Sequence, residues 1–263
     1  PWWVHRVASW FLRDHRKIMI IDGERGFTGG VGIESPMKGW RDTHLEMSGP
    51  TVALMEQAFE RMWQETKRSE RFIRFPRPAA ESKDFNFLTN SPYLRQRFVY
   101  HLLLAAIKGA QNYIYLETPY FVPNRKLFRA LKRARRRGVD VRLVLPLHSD
   151  HPLVDLASQS YFTALLKIGV RIYCYKNRMM HAKVVIVDDT WASVGSANLD
   201  NLSLLLNYED AIVSSDPKFI SDLKAQFKID CEASELLSIV PWRERSLLVK
   251  ILQLLTLPIH RFL

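Results

Sequence analysis

His181-Ala182-Lys183-Val184-Val185-Ile186-Val187-Asp188 decides how this chain is read, because a stretch of the same kind, His15-Arg16-Lys17-Ile18-Met19-Ile20-Ile21-Asp22, stands 166 positions earlier (15 against 181). Both follow the pattern H-x-K-x4-D. In each copy an apolar run leads to a turn, Asp22-Gly23 or Asp188-Asp189, and on to a glycine-containing strand end. A repeat of this kind constrains the architecture more than any single element does, and it implies two related halves.

Along a strand, residues i and i+2 share a face, so His15 points with Lys17 and His181 with Lys183. Asp22 and Asp188 have the opposite parity and stand where the apolar run gives way to a turn, so they read as positioning groups. A single histidine on an apolar strand is ordinarily a hydrogen-bonded core residue. Two lysines at matched positions beside two histidines are costly to bury without a counter-charge, and a phosphate between the pairs would supply one. The second copy continues Gly195-Ser196-Ala197-Asn198-Leu199-Asp200 and then Asn207-Tyr208-Glu209. Ser196 and Asn198 share parity, which offers a hydroxyl and an amide to the non-bridging oxygens of that phosphate. The expectation is a two-histidine phosphoryl-transfer site.

The 97 residues from 84 to 180 read as an α/β succession: strand Phe85 to Leu88, helix Tyr93 to Gly109, strand Tyr113 to Glu117, helix Arg125 to Arg137, strand Val139 to Leu145, helix Val154 to Ile168 and strand Val170 to Tyr175. Strands alternating with helices of ten or more residues imply βαβ units and a largely parallel sheet. Only fourteen residues precede His15. The first half is therefore expected to lack most of its domain, with roughly a hundred further residues upstream in the full protein.

The 263 residues are 47% hydrophobic with a formal net charge of +11, a balance that favours anionic partners, whether phospholipid or nucleic acid. The densest basic run is Lys132-Arg133-Ala134-Arg135-Arg136-Arg137; a solvated face at a helix end explains it as well as a lipid site does. No platform of closely spaced aromatics speaks for single-stranded nucleic acid. The tail, Trp242-Arg243-Glu244-Arg245 and Ser246 to Leu263, is leucine-rich but broken by Lys250, Pro258, His260 and Arg261. It is too short and interrupted to span a bilayer and reads either as an interfacial helix or as a segment packed on the body. Cys174 and Cys231 make no disulfide framework, which suits a reduced, cytoplasmic face. No clustered Cys/His or multi-carboxylate ligand set is visible, so no metal or other cofactor is expected.

Together with both histidine motifs, the segments Phe27-Thr28-Gly29-Gly30-Val31-Gly32-Ile33, Trp40-Arg41-Asp42-Thr43-His44, Thr118-Pro119-Tyr120-Phe121-Val122-Pro123, Ser149-Asp150-His151-Pro152-Leu153-Val154 and Gly195-Ser196-Ala197-Asn198-Leu199-Asp200 resemble the phospholipase D superfamily, and within it the bacterial cardiolipin synthases. The resemblance implies an α/β fold of two similar α/β/α halves with mixed, largely parallel sheets and the active site between them, the first half truncated at its amino terminus. On that basis residues 1–78 are the carboxyl-terminal part of the first half, 79–84 a linker, 85–240 the complete second half and 241–263 an amphipathic membrane-associating segment.

The implied reaction is a phosphatidyl transfer in two steps through a phosphohistidine, with His15 as nucleophile, His181 as acid and base, and Lys17 and Lys183 stabilising the oxyanions. Asp22 and Asp188 complete the two catalytic motifs. Glu209 resembles the family glutamate that orients a catalytic histidine. Aligning the repeats at Gly49-Pro50 and Asp216-Pro217 brings Asp42 opposite Glu209, which makes Asp42 the candidate orienting group of the first half, with His44 as a rival. Two departures stand out: Gly29-Gly30-Val31-Gly32 lacks the asparagine common at its last position, and Asn201-Leu202-Ser203 lacks a common arginine. The implied partners are anionic phospholipids, phosphatidylglycerol and cardiolipin, at the cytoplasmic face of a bacterial membrane. Nucleic acid is disfavoured, and a nuclease of the same superfamily or an inactive fragment are the competing readings.

Overall fold

The computed structural model describes residues 13–66, 84–91 and 96–260. Strands β1 (Met19–Ile21), β2 (Arg25–Gly29) and β3 (His44–Ser48) form a three-stranded antiparallel sheet, followed by helix α1 (Pro50–Thr66). Beyond it lies a nine-stranded sheet. Its members are β4 (Phe85–Ser91), β5 (Gln96–Arg97), β6 (Tyr113–Glu117), β8 (Asp140–Pro146), β9 (Arg171–Tyr175), β10 (Val184–Val187), β11 (Trp191–Gly195), β13 (Glu209–Ser214) and β14 (Ser234–Leu236), in the order β14-β9-β8-β6-β10-β11-β13-β4-β5. Two short strands, β7 (Phe121–Val122) and β12 (Leu199–Asp200), pair in parallel beside it.

The large sheet is mixed, as expected, but parallel pairing within it is confined to β6, β8 and β9. The expectation of a largely parallel sheet is corrected here. Parallel neighbours need a crossover long enough to hold a helix, and only α3 (Arg125–Arg136) and α4 (Pro152–Lys167) provide one in this run. The histidine-motif strand β10 instead enters antiparallel to β6 and turns back at once into β11. Helix α2 (Phe98–Gly109) joins α3 and α4 on one face, where Leu103, Leu131 and Phe162 meet Ile114, Leu116, Leu143 and Ile172. The alternate residues Tyr113 and Tyr115 face the other way, onto Phe227 of α5 (Pro217–Glu232). That gives the second half three layers, helix, sheet and helix.

The duplication is visible in space. β1, β2, β3 and α1 follow one another as β10, β11, β13 and α5 do. Both hairpins turn on an aspartate in the left-handed region, Asp22 at φ 53° and Asp188 at φ 51°, a conformation that aspartate tolerates better than most side chains. β2 and β3 lie against β11 and β13, so the two halves meet along their motif strands. Apart from Asp84, the expected linker 79–84 lies outside the described residues. The basic run ends α3 as a largely solvated face, although Arg137 turns back to donate to the Ala110 carbonyl at 3.0 Å. The tail forms α6 (Ile239–Arg243) and α7 (Leu247–Leu255), both packed on α4.

Candidate active site

In each half the motif histidine lies just before a strand, and its backbone is tied to the other half. The His15 amide donates to the Tyr208 carbonyl at 3.0 Å and the Tyr208 amide to the Arg13 carbonyl at 2.9 Å. The His181 amide donates to the Arg41 carbonyl at 2.7 Å and the Arg41 amide to the Met179 carbonyl at 2.8 Å. Two parallel bridges result, Asp14 with Tyr208 and Arg41 with Met180. Each bridge sets the residue before a histidine beside the residue before a carboxylate.

The side chains repeat this crossing. His15 Nδ1 donates to Glu209, 3.1 Å from both carboxylate oxygens, and His181 Nδ1 donates to Asp42 Oδ2 at 2.7 Å. Because a carboxylate only accepts, each pair fixes the tautomer and leaves Nε2 as the nitrogen without a proton. Alignment of the repeats placed Asp42 opposite Glu209. The structure adds that each carboxylate serves the histidine of the opposite half. His44, the rival to Asp42, orients neither histidine, and its Nδ1 is buried without a hydrogen-bond partner.

The lysines also match. Lys17 Nζ donates to the His15 carbonyl at 2.9 Å, and Lys183 Nζ donates to the His181 carbonyl at 2.6 Å while lying 3.0 Å from each nitrogen of that ring. Burial pushes Lys183 down to about 7, against the pull of Asp42. It lowers Lys17 too, with Glu209, Asp210 and Asp42 opposing. The carboxylates of both halves thus act on the lysines of both halves, which places both motif lysines around one charge-coupled centre. Burial lowers His181 as well, only partly offset by its bond to Asp42. The His15 side chain remains a third exposed.

Asp188 and Asp22 stand apart from this centre. Asp188 accepts the backbone amides of Gln111, Asn112 and Tyr113 at 2.8 to 2.9 Å, which anchors the start of β6. Asp22 is exposed at its turn. Six residues separate each from its histidine, a span of roughly 20 Å if fully extended. Asp188 thus acts on the backbone that carries the motif strand, the role of a positioning group.

Ser196 stands behind the His15 pair. It is fully buried, donates to Glu209 at 2.5 Å and accepts the Asp210 amide at 3.0 Å. Its hydroxyl therefore helps to hold the carboxylate that orients His15. Asn198 is buried with its Oδ1 unpartnered. At the position equivalent to Ser196 stands Gly30, where a Cβ would lie 2.0 Å from Asp42 Oδ1. The glycine is what lets Asp42 reach inward.

Several site residues escaped the sequence reading. Trp40 lies with its ring centroid 5.0 Å from that of His181. Arg41 is buried, forks onto both Asp230 oxygens at 2.9 and 2.6 Å and lies 3.9 Å from Glu117. This clamp holds the segment before β3 that carries Asp42. Burial and the neighbouring Asp230 keep the Glu117 carboxyl well above the usual range. Asp210, bonded to Thr28 at 2.9 Å across the halves, is pushed by burial up to about 7, and Asp200 to about 6. The signal available was the density of acids around the second motif, but nothing in the sequence paired Arg41 with a residue 189 positions away.

Among known proteins, a family model described as "Cardiolipin synthase, PLD-like domain" matches residues 103–231. Cardiolipin synthase 1 of Bacillus cereus is 35% identical over 94% of this chain and 53% of its own length. Cardiolipin synthase A of Pseudomonas aeruginosa is 37% identical over 89% of this chain and 49% of its own. The chain spans about half the length of these curated relatives. In fold it is similar to the phosphatidylserine synthase of Haemophilus influenzae, with a TM-score of 0.71 at 13% identity, covering 94% of this chain and 68% of that one.

Proposed function

The chain belongs to the phospholipase D superfamily, close to the bacterial cardiolipin synthases, and from that premise we propose that its site transfers a phosphatidyl group from a phospholipid donor to an alcohol acceptor through a phosphohistidine. One Nε2 attacks the phosphorus. The bond to the leaving alkoxide breaks, and the second imidazole donates the proton that oxygen needs. In the second step the same imidazole takes the acceptor's hydroxyl proton as that oxygen attacks, and the P–N bond breaks. Lys17 and Lys183 stabilise the negative oxygens, with Asn198 beside them. The observation that carries this reading is the reciprocal pair, His15 with Glu209 and His181 with Asp42, converging with two lysines on one centre.

Two orders share this chemistry. The resemblance makes His15 the nucleophile. The burial that holds His181 neutral, with its Nδ1 proton on Asp42, favours the reverse, since attack needs the neutral ring and the initial acid needs the charged one. Incubation of the protein with phosphatidylglycerol tests the function, the expected products being diphosphatidylglycerol and glycerol. Rapid quenching and mapping of the phosphorylated histidine tests the order. DNA cleavage without lipid turnover would favour the nuclease reading instead.

A further inference from the structure

Helix α7 is seated with its polarity inverted. Gln253 and Thr256 are each 2% exposed and His260, just beyond the helix, is buried too. Two of these polar groups bind α4, Gln253 donating to Gln159 at 3.2 Å and the His260 ring lying 3.1 Å from the Tyr161 hydroxyl, while within the tail Gln253 accepts from Arg245 at 2.9 Å and the His260 ring lies 3.1 Å from the Thr256 hydroxyl. The leucines point the other way, with Leu247 at 72%, Leu248 at 65%, Leu254 at 62% and Leu255 at 68% exposure. Their spacing, i, i+1, i+7 and i+8, puts them on one helical face. An amphipathic helix docked on a globular body normally turns its apolar face inward. Here the body offers α7 a polar seat, so the leucine face is not a core surface left over.

Three observations select the partner. The segment 239–260 carries Arg243, Arg245 and Lys250 against the single acid Glu244, within a chain of net charge +11, which suits an anionic surface. A helix of nine residues is far too short to cross a bilayer, and among the described residues no helix is long and apolar enough to do so. An element this short can only lie in the interface. Finally, the seat adjoins the candidate site: Asn201 Nδ2 donates to the His260 carbonyl at 2.8 Å, and Asn201 directly follows β12, whose Asp200 is electrostatically coupled to Lys183.

We propose that the exposed leucine face of α7 inserts into the surface of an anionic phospholipid bilayer and, through the His260–Asn201 contact, fixes the height of the active-site strand β12 above the headgroups. The choice of a bilayer as partner rests in part on the phospholipid reading of the site. The helix would be an in-plane docking element for a site that must reach a headgroup phosphate without leaving the interface.

The test is flotation of the whole chain with vesicles of phosphatidylglycerol and phosphatidylcholine, comparing wild type with the fourfold variant Leu247→Ser, Leu248→Ser, Leu254→Ser, Leu255→Ser. All four side chains are solvent-facing, so folding is expected to survive and is checked by circular dichroism. Partition into the anionic vesicles should drop by roughly a hundredfold or more, given the apolar area removed. Turnover of a short-chain phosphatidylglycerol dispersed as monomers should stay within about twofold of wild type, since interfacial binding contributes nothing to it. Loss of flotation in the variant, together with no turnover of monomeric lipid by either protein, would sink the transferase reading while leaving the docking face intact. Equal flotation of the two proteins overturns the proposal. So does a wild type that ignores vesicles but forms dimers which the variant does not, because the face would then belong to a second copy. A Leu248→Trp variant gives an independent reading: its emission should move to shorter wavelength on adding vesicles, and an unmoved spectrum contradicts insertion.

Discussion

The two histidine straps share a plan and differ in how tightly they are held. His181 is buried, its 2.7 Å bond to Asp42 backed by the buried fork of Arg41 on Asp230 and by the Trp40 ring. His15 is a third exposed and shares longer 3.1 Å contacts with Glu209, which in turn is held by Ser196. The comparison teaches that pseudo-symmetry in a duplicated site does not extend to equal environments. One imidazole is rigid and kept neutral, and the other is open to solvent and to a substrate. The proposed transfer, which calls for one neutral and one protonated histidine, gains from that inequality.

The comparison is broken most severely by removing either ring. His15→Ala and His181→Ala should each lower phosphatidyl transfer by about 10⁴-fold or more, and the double variant should be little worse than either single one, because groups that act as a unit lose their effect together. Transfer assays on the three proteins check this. Next in size are the straps. Asp42→Asn and Glu209→Gln keep the shape but permit the wrong tautomer, with an expected loss of about 10² to 10⁴ in kcat. Gly30→Ala should act selectively on the His181 side, because the new methyl group meets Asp42 Oδ1. A loss of roughly ten- to a hundredfold, with the His15 titration unchanged, is the expected kinetic and NMR result.

The clamp under the His181 strap sharpens the comparison through stability. Arg41→Met leaves the Asp230 and Glu117 carboxyls buried without their cation and should cost about 3–5 kcal/mol in denaturant unfolding. Charge-neutral changes on the His15 side, such as Ser196→Ala, should cost about 1–3 kcal/mol. The remaining effects are those of pH. With Lys183 near 7 against its ordinary 10.5, kcat/KM should fall as pH rises through 7 and the lysine loses its charge. Over the window from about 7 to 10.5 the unfolded chain holds a proton on Lys183 that the folded chain lacks, so this group's contribution to stability rises with pH. Activity and stability should therefore move in opposite directions there, which pH-rate profiles beside thermal unfolding would reveal.

Much of this was legible in the residues. The duplicated motif located both histidines and both lysines, and β6 lies where it was expected, at Tyr113–Glu117. Helix α4 begins at Pro152 and not at Val154, because proline fits the first helical turn. What could not be read is which half a side chain serves. Strand parity reports the face on which Glu209 points, but it does not report that the ring waiting there belongs to a histidine 194 positions away. Ser196 shows the same limit: parity reports the face its side chain takes, but not that its hydroxyl donates to Glu209. The parallel character of the sheet was overstated because the helical crossovers before β8 and β9 were extended to strands joined by hairpins.

The crossing of the two straps is tested most directly by imidazole nitrogen NMR of the wild type, Asp42→Asn and Glu209→Gln. The crossed arrangement predicts that Asp42→Asn shifts the Nδ1 resonance and titration of His181 while leaving His15 in place, and that Glu209→Gln does the reverse. If Asp42→Asn moved the His15 resonances and left those of His181 unchanged, each half would hold its own histidine and the reciprocal site would be wrong.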